Sequence, residues 1–145
     1  MAEKIYSIKI NEHYGAKNGC PICALRAELE KDEITRILGA AMMEPDIRKE
    51  TNARGFCRTH LDRLCEAGNK LPLALMLSTH LESLEKDLFG GFGKRAAAYE
   101  KARKSCYLCH RMNTETARVL DNVCYLYSQD EKFRALFADR ERAHV

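Results

Sequence analysis

Two short patterns, Cys20-Pro-Ile-Cys23 and Cys57-Arg-Thr-His60, constrain this chain more than any other feature. Zinc takes four thiolate or imidazole donors in a tetrahedron. A CxxC turn ahead of a helix directs both sulfurs toward one ion. Cys57 and His60, three residues apart on a helix, face the same way. A helical hairpin between the patterns would return the second pair to the first. The sequence therefore predicts one structural Zn2+ held by Cys20, Cys23, Cys57 and His60, with no position left for water or substrate. Two other readings compete with it. One is four ordinary buried residues, since an unpaired cysteine packs like a small hydrophobe. The other is a redox dithiol, because a helix N-terminus lowers thiol pKa and would make Cys20 or Cys23 reactive.

Seven cysteines in 145 residues raise the question of compartment. The first residues, with Glu3, Lys4, Lys9 and Glu12, do not form the apolar core of a secretory signal. No apolar run approaches the ~18–20 residues that span a bilayer. The expected location is cytoplasmic, where disulfides do not persist and CxxC pairs mean metal or redox chemistry. With 46% hydrophobic and 31% charged residues, the chain can bury a core without staples, as one domain or two small lobes.

Glycine and proline divide the chain into helical segments. Pro21 suits a first helical turn, and Ala24 to Met43 is rich in helix formers. Glu44-Pro45 ends that segment and starts a short helix to about Ala53. Gly55 breaks this one, and Phe56 to Glu66 follows with Phe56, His60, Leu61 and Leu64 inward. Leu73, Leu77, His80, Leu81, Leu84 and Leu88 form the cleanest amphipathic stripe. The run from Phe89 to Gly93 is the best internal boundary. Beyond it lie helical segments over 94–104, 107–127 and 131–142. No segment alternates like a strand. The predicted class is all-α, a helical bundle with a zinc knuckle and two pseudo-repeated lobes, 1–88 and 94–145.

The repeat rests on a shift of 86 residues, which lays Cys20 on Cys106, Cys23 on Cys109, Ile22 on Leu108 and Arg48 on Arg134. Cys57 then falls on Ala143, so the second copy is expected to be incomplete. The order CPIC, helix, LGAAMMEPDIRKETN and GFCRTH resembles a bacterial family of unknown function, DUF6062, across nearly the whole chain. Its members resemble two tandem CxxC…GFCxxH units, the second with an Asp-x-x-Phe-Arg element matched here by Asp130, Phe133 and Arg134. The resemblance implies that Cys20, Cys23, Cys57 and His60 are metal ligands, and that Cys106 and Cys109 are half a site. The ending from Arg140 to Val145 departs from GFCxxH. The resemblance implies no activity.

The half-site Cys106, Cys109 could be completed by His110 or His144, or shared between two subunits; unfilled cysteines are the plainer reading. Cys109-His110 also completes the c-type haem pattern, but haem attachment follows export, which this N-terminus does not encode. Cys65 and Cys124 read as core packing, His80 as a satisfied core histidine, and Met42 and Met43 as gap fillers. Glu28, Glu30, Asp32 and Glu33 read as a solvated helix side.

The net charge is only +3, yet residues 1–88 carry 13 Lys/Arg against 14 Asp/Glu, and residues 89–145 carry 11 against 7. Lys94, Arg95, Lys101, Arg103 and Lys104 read first as a solvated face and second as a strip that could contact nucleic acid. There is no G-x-S-x-G, no H-E-x-x-H and no P-loop, so no small-molecule substrate is indicated. The leading expectation is a non-enzymatic, zinc-stabilised helical module with a protein partner. Because the second copy lacks its closing helix, Val119, Leu126, Phe133 and Phe137 are expected to need cover, which self-association would give. Rival readings are a thiol redox or metal-sensing protein, and nucleic-acid binding through the 94–104 strip.

Overall fold

A computed structural model describes residues 4–16, 19–89 and 95–142, and all regular structure among them is helical. In chain order the helices are α1 (Lys4–Gly15), α2 (Pro21–Ile37), α3 (Pro45–Arg54), α4 (Arg58–Glu66), α5 (Lys70–Phe89), α6 (Arg95–Lys104), α7 (Tyr107–Gln129) and α8 (Glu131–Arg142). A 3-10 turn, Ala40–Met43, lies between α2 and α3. The protein is all-α. No described helix is long and apolar enough to cross a membrane.

Local chemistry sets most of the boundaries. Glu44 is extended (φ −70°, ψ 126°), as a residue before proline must be, and Pro45 opens α3. Gly55 and Gly68 take positive φ after α3 and α4, where L side chains are strained. Asp130 caps α8, its Oδ1 accepting the N–H groups of Lys132 at 2.9 Å and Phe133 at 3.3 Å. Arg134 donates to the carbonyls of Tyr127 and Ser128 at the end of α7. The Asp-x-x-Phe-Arg element is thus a helix cap, a core anchor and a clamp on the preceding helix.

The chain forms two compact units: residues 1–29 with 112–145, and residues 30–111. The division falls within α2 and within α7. It differs from the expected split into 1–88 and 94–145, because α5 and α6 belong to one unit. The glycine run taken as the boundary lies outside the described residues.

The first unit buries Ile10 and Tyr14 of α1 with Leu25 of α2, Val119, Val123 and Leu126 of α7, and Phe133 of α8. Tyr14 meets Phe133 edge-on at 5.1 Å and stacks on Phe137 at 5.6 Å between ring centres. Burying a ring such as Phe133 contributes about 2–3 kcal/mol. Helix α1 was not foreseen, because only Tyr6, Ile10 and Tyr14 recur at its inner spacing among polar residues. It covers the apolar positions that had been expected to need a second copy.

The second unit packs Ile34, Ile37 and Leu38 against Met42, Leu64, Leu73, Met76 and the Cys106–Leu108 segment. Of the α5 stripe only Leu73 is buried; Leu77, Leu84 and Leu88 are half-buried, and Leu81 is 60% exposed. Met42 is buried and Met43 exposed. Cys65 and Cys124, expected in the core, are both exposed. The helical spacing was right for their neighbours Leu64 and Val123, and the next residue along a helix turns by about 100° to the outside.

Candidate metal centre

Two loops of the second unit meet through the backbone. After α3, Gly55 (φ +60°) redirects the chain, and Cys57 follows in extended geometry at the N-cap of α4. His60 lies one turn later, on the same side. On the other loop Cys106 immediately precedes α7, and Cys109 sits in its first turn. The Cys109 N–H donates to Cys106 Sγ at 3.5 Å. The loops are stitched together where the Tyr107 N–H donates to the Gly55 carbonyl at 2.9 Å, and the Phe56 and Tyr107 rings meet edge-on.

His80 fixes the Gly55 turn. Its Nδ1–H donates to the Asn52 carbonyl at 2.7 Å, and its ring occupies the space a side chain at 55 would need: a Cβ there would lie 2.4 Å from Nε2. His80 is therefore a satisfied structural histidine.

These loops bring Cys57, His60, Cys106 and Cys109 together, with their four ligand atoms all within 4.8 Å of one another. His60 Nδ1 lies 3.2 Å from Cys57 Sγ, 3.3 Å from Cys106 Sγ and 3.4 Å from Cys109 Sγ, and the sulfurs of Cys57 and Cys109 are 3.9 Å apart. A tetrahedral ion with metal–sulfur bonds of about 2.3 Å sets its sulfurs roughly 3.8 Å apart. Donor number, chemistry and spacing fit one such ion.

The thiols feel one another. Burial would raise Cys57, but the His60 N–H, the Cys106 and Cys109 side chains and the Thr59 N–H together hold it below the ordinary thiol range. Burial first, then Cys106 and Cys57, push Cys109 up to about 12. Adjacent sulfurs in a shared site cannot all ionise without a compensating cation.

Around the cluster stands a buried acidic layer that the sequence reading placed in solvent. Glu30 and Glu33 of α2 are only 9% and 7% exposed. Glu30 Oε1 lies 3.0 Å from His60 Nε2 and also accepts from Arg63. Glu33 accepts from Arg36 at 2.7 and 2.9 Å and from the Tyr107 hydroxyl at 2.7 Å. The signal was present in the spacing, since Glu30, Glu33, Ile34 and Ile37 share one helical face.

The assembled set corrects the predicted one. Cys57 and His60 stand with Cys106 and Cys109, not with Cys20 and Cys23, which belong to the first unit and are exposed. The part of α2 that His60 meets is Glu30, at 3.0 Å. At Cys20-Cys23 the Cys23 N–H donates to Cys20 Sγ at 3.5 Å, and the thiol–thiol hydrogen bond to Cys20 raises the Cys23 pKa. His110, offered as a completing ligand, is exposed and outside the cluster; His60 fills that role. His144 and Lys94 lie outside the described residues. Arg95, Lys101, Arg103 and Lys104 are exposed on α6, where Glu100 pairs with Arg103 at 3.7 Å and Lys104 at 3.3 Å. None of the seven cysteines is in a disulfide.

Fold and site together define an all-α protein with a three-cysteine, one-histidine cluster suited to a metal ion. A family model described as a family of unknown function (DUF6062) matches residues 1–143, and the chain belongs to that family. No curated protein and no solved structure matches it.

Proposed function

We propose that Cys57, His60, Cys106 and Cys109 hold one structural zinc ion, and that the protein is a non-enzymatic helical module whose role is to bind a protein partner. The observation carrying the metal reading is the convergence of four soft or borderline donors within 4.8 Å at two loop–helix junctions joined by a backbone hydrogen bond. Three thiolates and an imidazole favour zinc over calcium or magnesium, which take oxygen donors. Four protein donors complete the tetrahedron, so the ion has no place for substrate and acts on the fold. It ties residues 57–60 to residues 106–109, and its coordination energy becomes folding energy.

The test is elemental analysis of the purified protein beside two variants. One zinc per chain in the wild type and in the Cys20→Ser/Cys23→Ser variant, with none in Cys106→Ser, supports the site. Zinc absent from the wild type, or lost with Cys20 and Cys23 and kept without Cys106, overturns it. The interaction role rests on α5, whose Leu71 and Leu81 are 68% and 60% exposed. Sedimentation of the protein alone and with a candidate partner should show association lost in Leu81→Glu while zinc stays bound.

One observation favours a second reading, thiol redox chemistry: Cys20 and Cys23 are an exposed CxxC pair at the start of α2. It predicts a reversible Cys20–Cys23 disulfide at mild potentials. A pair that stays reduced there removes it.

A further inference from the structure

We infer that Glu30 is the residue that commits His60 to metal binding through Nδ1, an inference that rests on the zinc reading above. A neutral imidazole carries one proton on one of two nitrogens, and the partner of the other nitrogen decides which. A carboxylate can only accept, so Glu30 Oε1, 3.0 Å from His60 Nε2, places the proton there. Nδ1 is left with its lone pair facing the three sulfurs at 3.2, 3.3 and 3.4 Å. The opposite tautomer would put an N–H into the metal position and oppose two acceptors across the outer bond.

The surroundings fit this role. Glu30 is 9% exposed and His60 8%, and a buried carboxylate needs partners. Its second partner is Arg63, which stands one turn beyond His60 on α4, so one helix presents both groups to Glu30. An ion pair with Arg63 alone would not require burial, since that guanidinium is half-exposed. What the buried position adds is contact with the imidazole. Outer partners of this kind fix ring orientation and raise ligand basicity, and losing them typically costs 10–100-fold in metal affinity. Glu30 is thus a positioning residue, not a ligand.

The experiment is nitrogen-detected NMR of the histidine rings in the zinc-loaded full chain, with zinc affinity measured by chelator competition. The expected spectrum shows His60 bound through Nδ1 with its proton on Nε2. Glu30→Ala should lower affinity by about 10–100-fold and lose the single tautomer, and Glu30→Gln, whose amide oxygen still accepts the N–H, should lose less. Arg63→Met, which removes the cation but keeps the acceptor, should retain Nδ1 ligation. Zinc bound through Nε2 in the wild type, or Glu30→Ala with unchanged affinity and tautomer, overturns the inference and leaves the zinc site standing. A wild type that binds no zinc overturns both. The wild-type spectrum decides the tautomer even if a variant fails to fold.

Discussion

The CPIC and CYLC turns begin alike and end differently. In each, the N–H of the second cysteine donates to the sulfur of the first at 3.5 Å, beside the start of a helix. Yet Cys20 and Cys23 are exposed, whereas Cys106 is buried and Cys109 half-buried against Cys57 and His60. Four residues suffice to build a two-sulfur grip. Whether that grip becomes a site depends on which distant segment packs beside it, and here the GFCRTH loop packs beside the second CxxC.

The largest test of this contrast is metal removal. Chelation, or Cys106→Ser, should cost the zinc-loaded protein on the order of 5 kcal/mol or more in urea or thermal unfolding. Cys20→Ser/Cys23→Ser should stay within about 0.5 kcal/mol of wild type; comparable losses would erase the distinction between the turns. Next in size, Phe133→Ala should cost about 3–5 kcal/mol through its cavity in the first unit, with zinc stoichiometry unchanged by elemental assay. Gly55→Ala sets a Cβ 2.4 Å from the His80 ring at φ +60°, and should cost about 2 kcal/mol and weaken zinc retention against a chelator. Tyr107→Phe, which removes the hydroxyl donor to Glu33 but no backbone contact, should cost about 1 kcal/mol and keep the metal.

The smallest effect concerns acid. Burial would raise Glu33, but its bonds from Arg36 and Tyr107 outweigh that and hold it below the ordinary carboxylate value of 4.5. A lowered folded-state pKa adds stability that is complete above that value and disappears as pH falls through the folded pKa. Replacing Glu33 by Gln should therefore flatten the acid limb of the stability curve below about pH 4.5 and lower the plateau above it. A parallel limb in both proteins would show that Glu33 carries none of the acid sensitivity.

Helix extents were legible because proline, glycine and helical spacing act within a few residues: Pro45, Gly55 and Gly68 mark ends in both sequence and structure. The donor types at each motif were legible for the same reason. What sequence could not settle was pairing. CPIC and CYLC offer equal local chemistry to Cys57 and His60, and the choice between them is made by packing across residues 30–111. Glu30 and Glu33 were misplaced because carboxylates are usually solvated, although their spacing put them on the buried face with Ile34 and Ile37. Cys65 and Cys124 erred in the opposite direction, as apolar residues one step off a buried face.

The discontinuous unit has a consequence for how the chain is made. Residues 30–111 are synthesised as one uninterrupted stretch, so all four donors of the cluster are in the growing chain before residue 112 is added. Helix α1 is made before α7 and α8, so Ile10 and Tyr14 must wait for Val119, Val123 and Phe133, which are translated about a hundred residues later. During elongation α1 thus waits for its neighbours until α7 and α8 are made, by which time every donor of the cluster has already been translated.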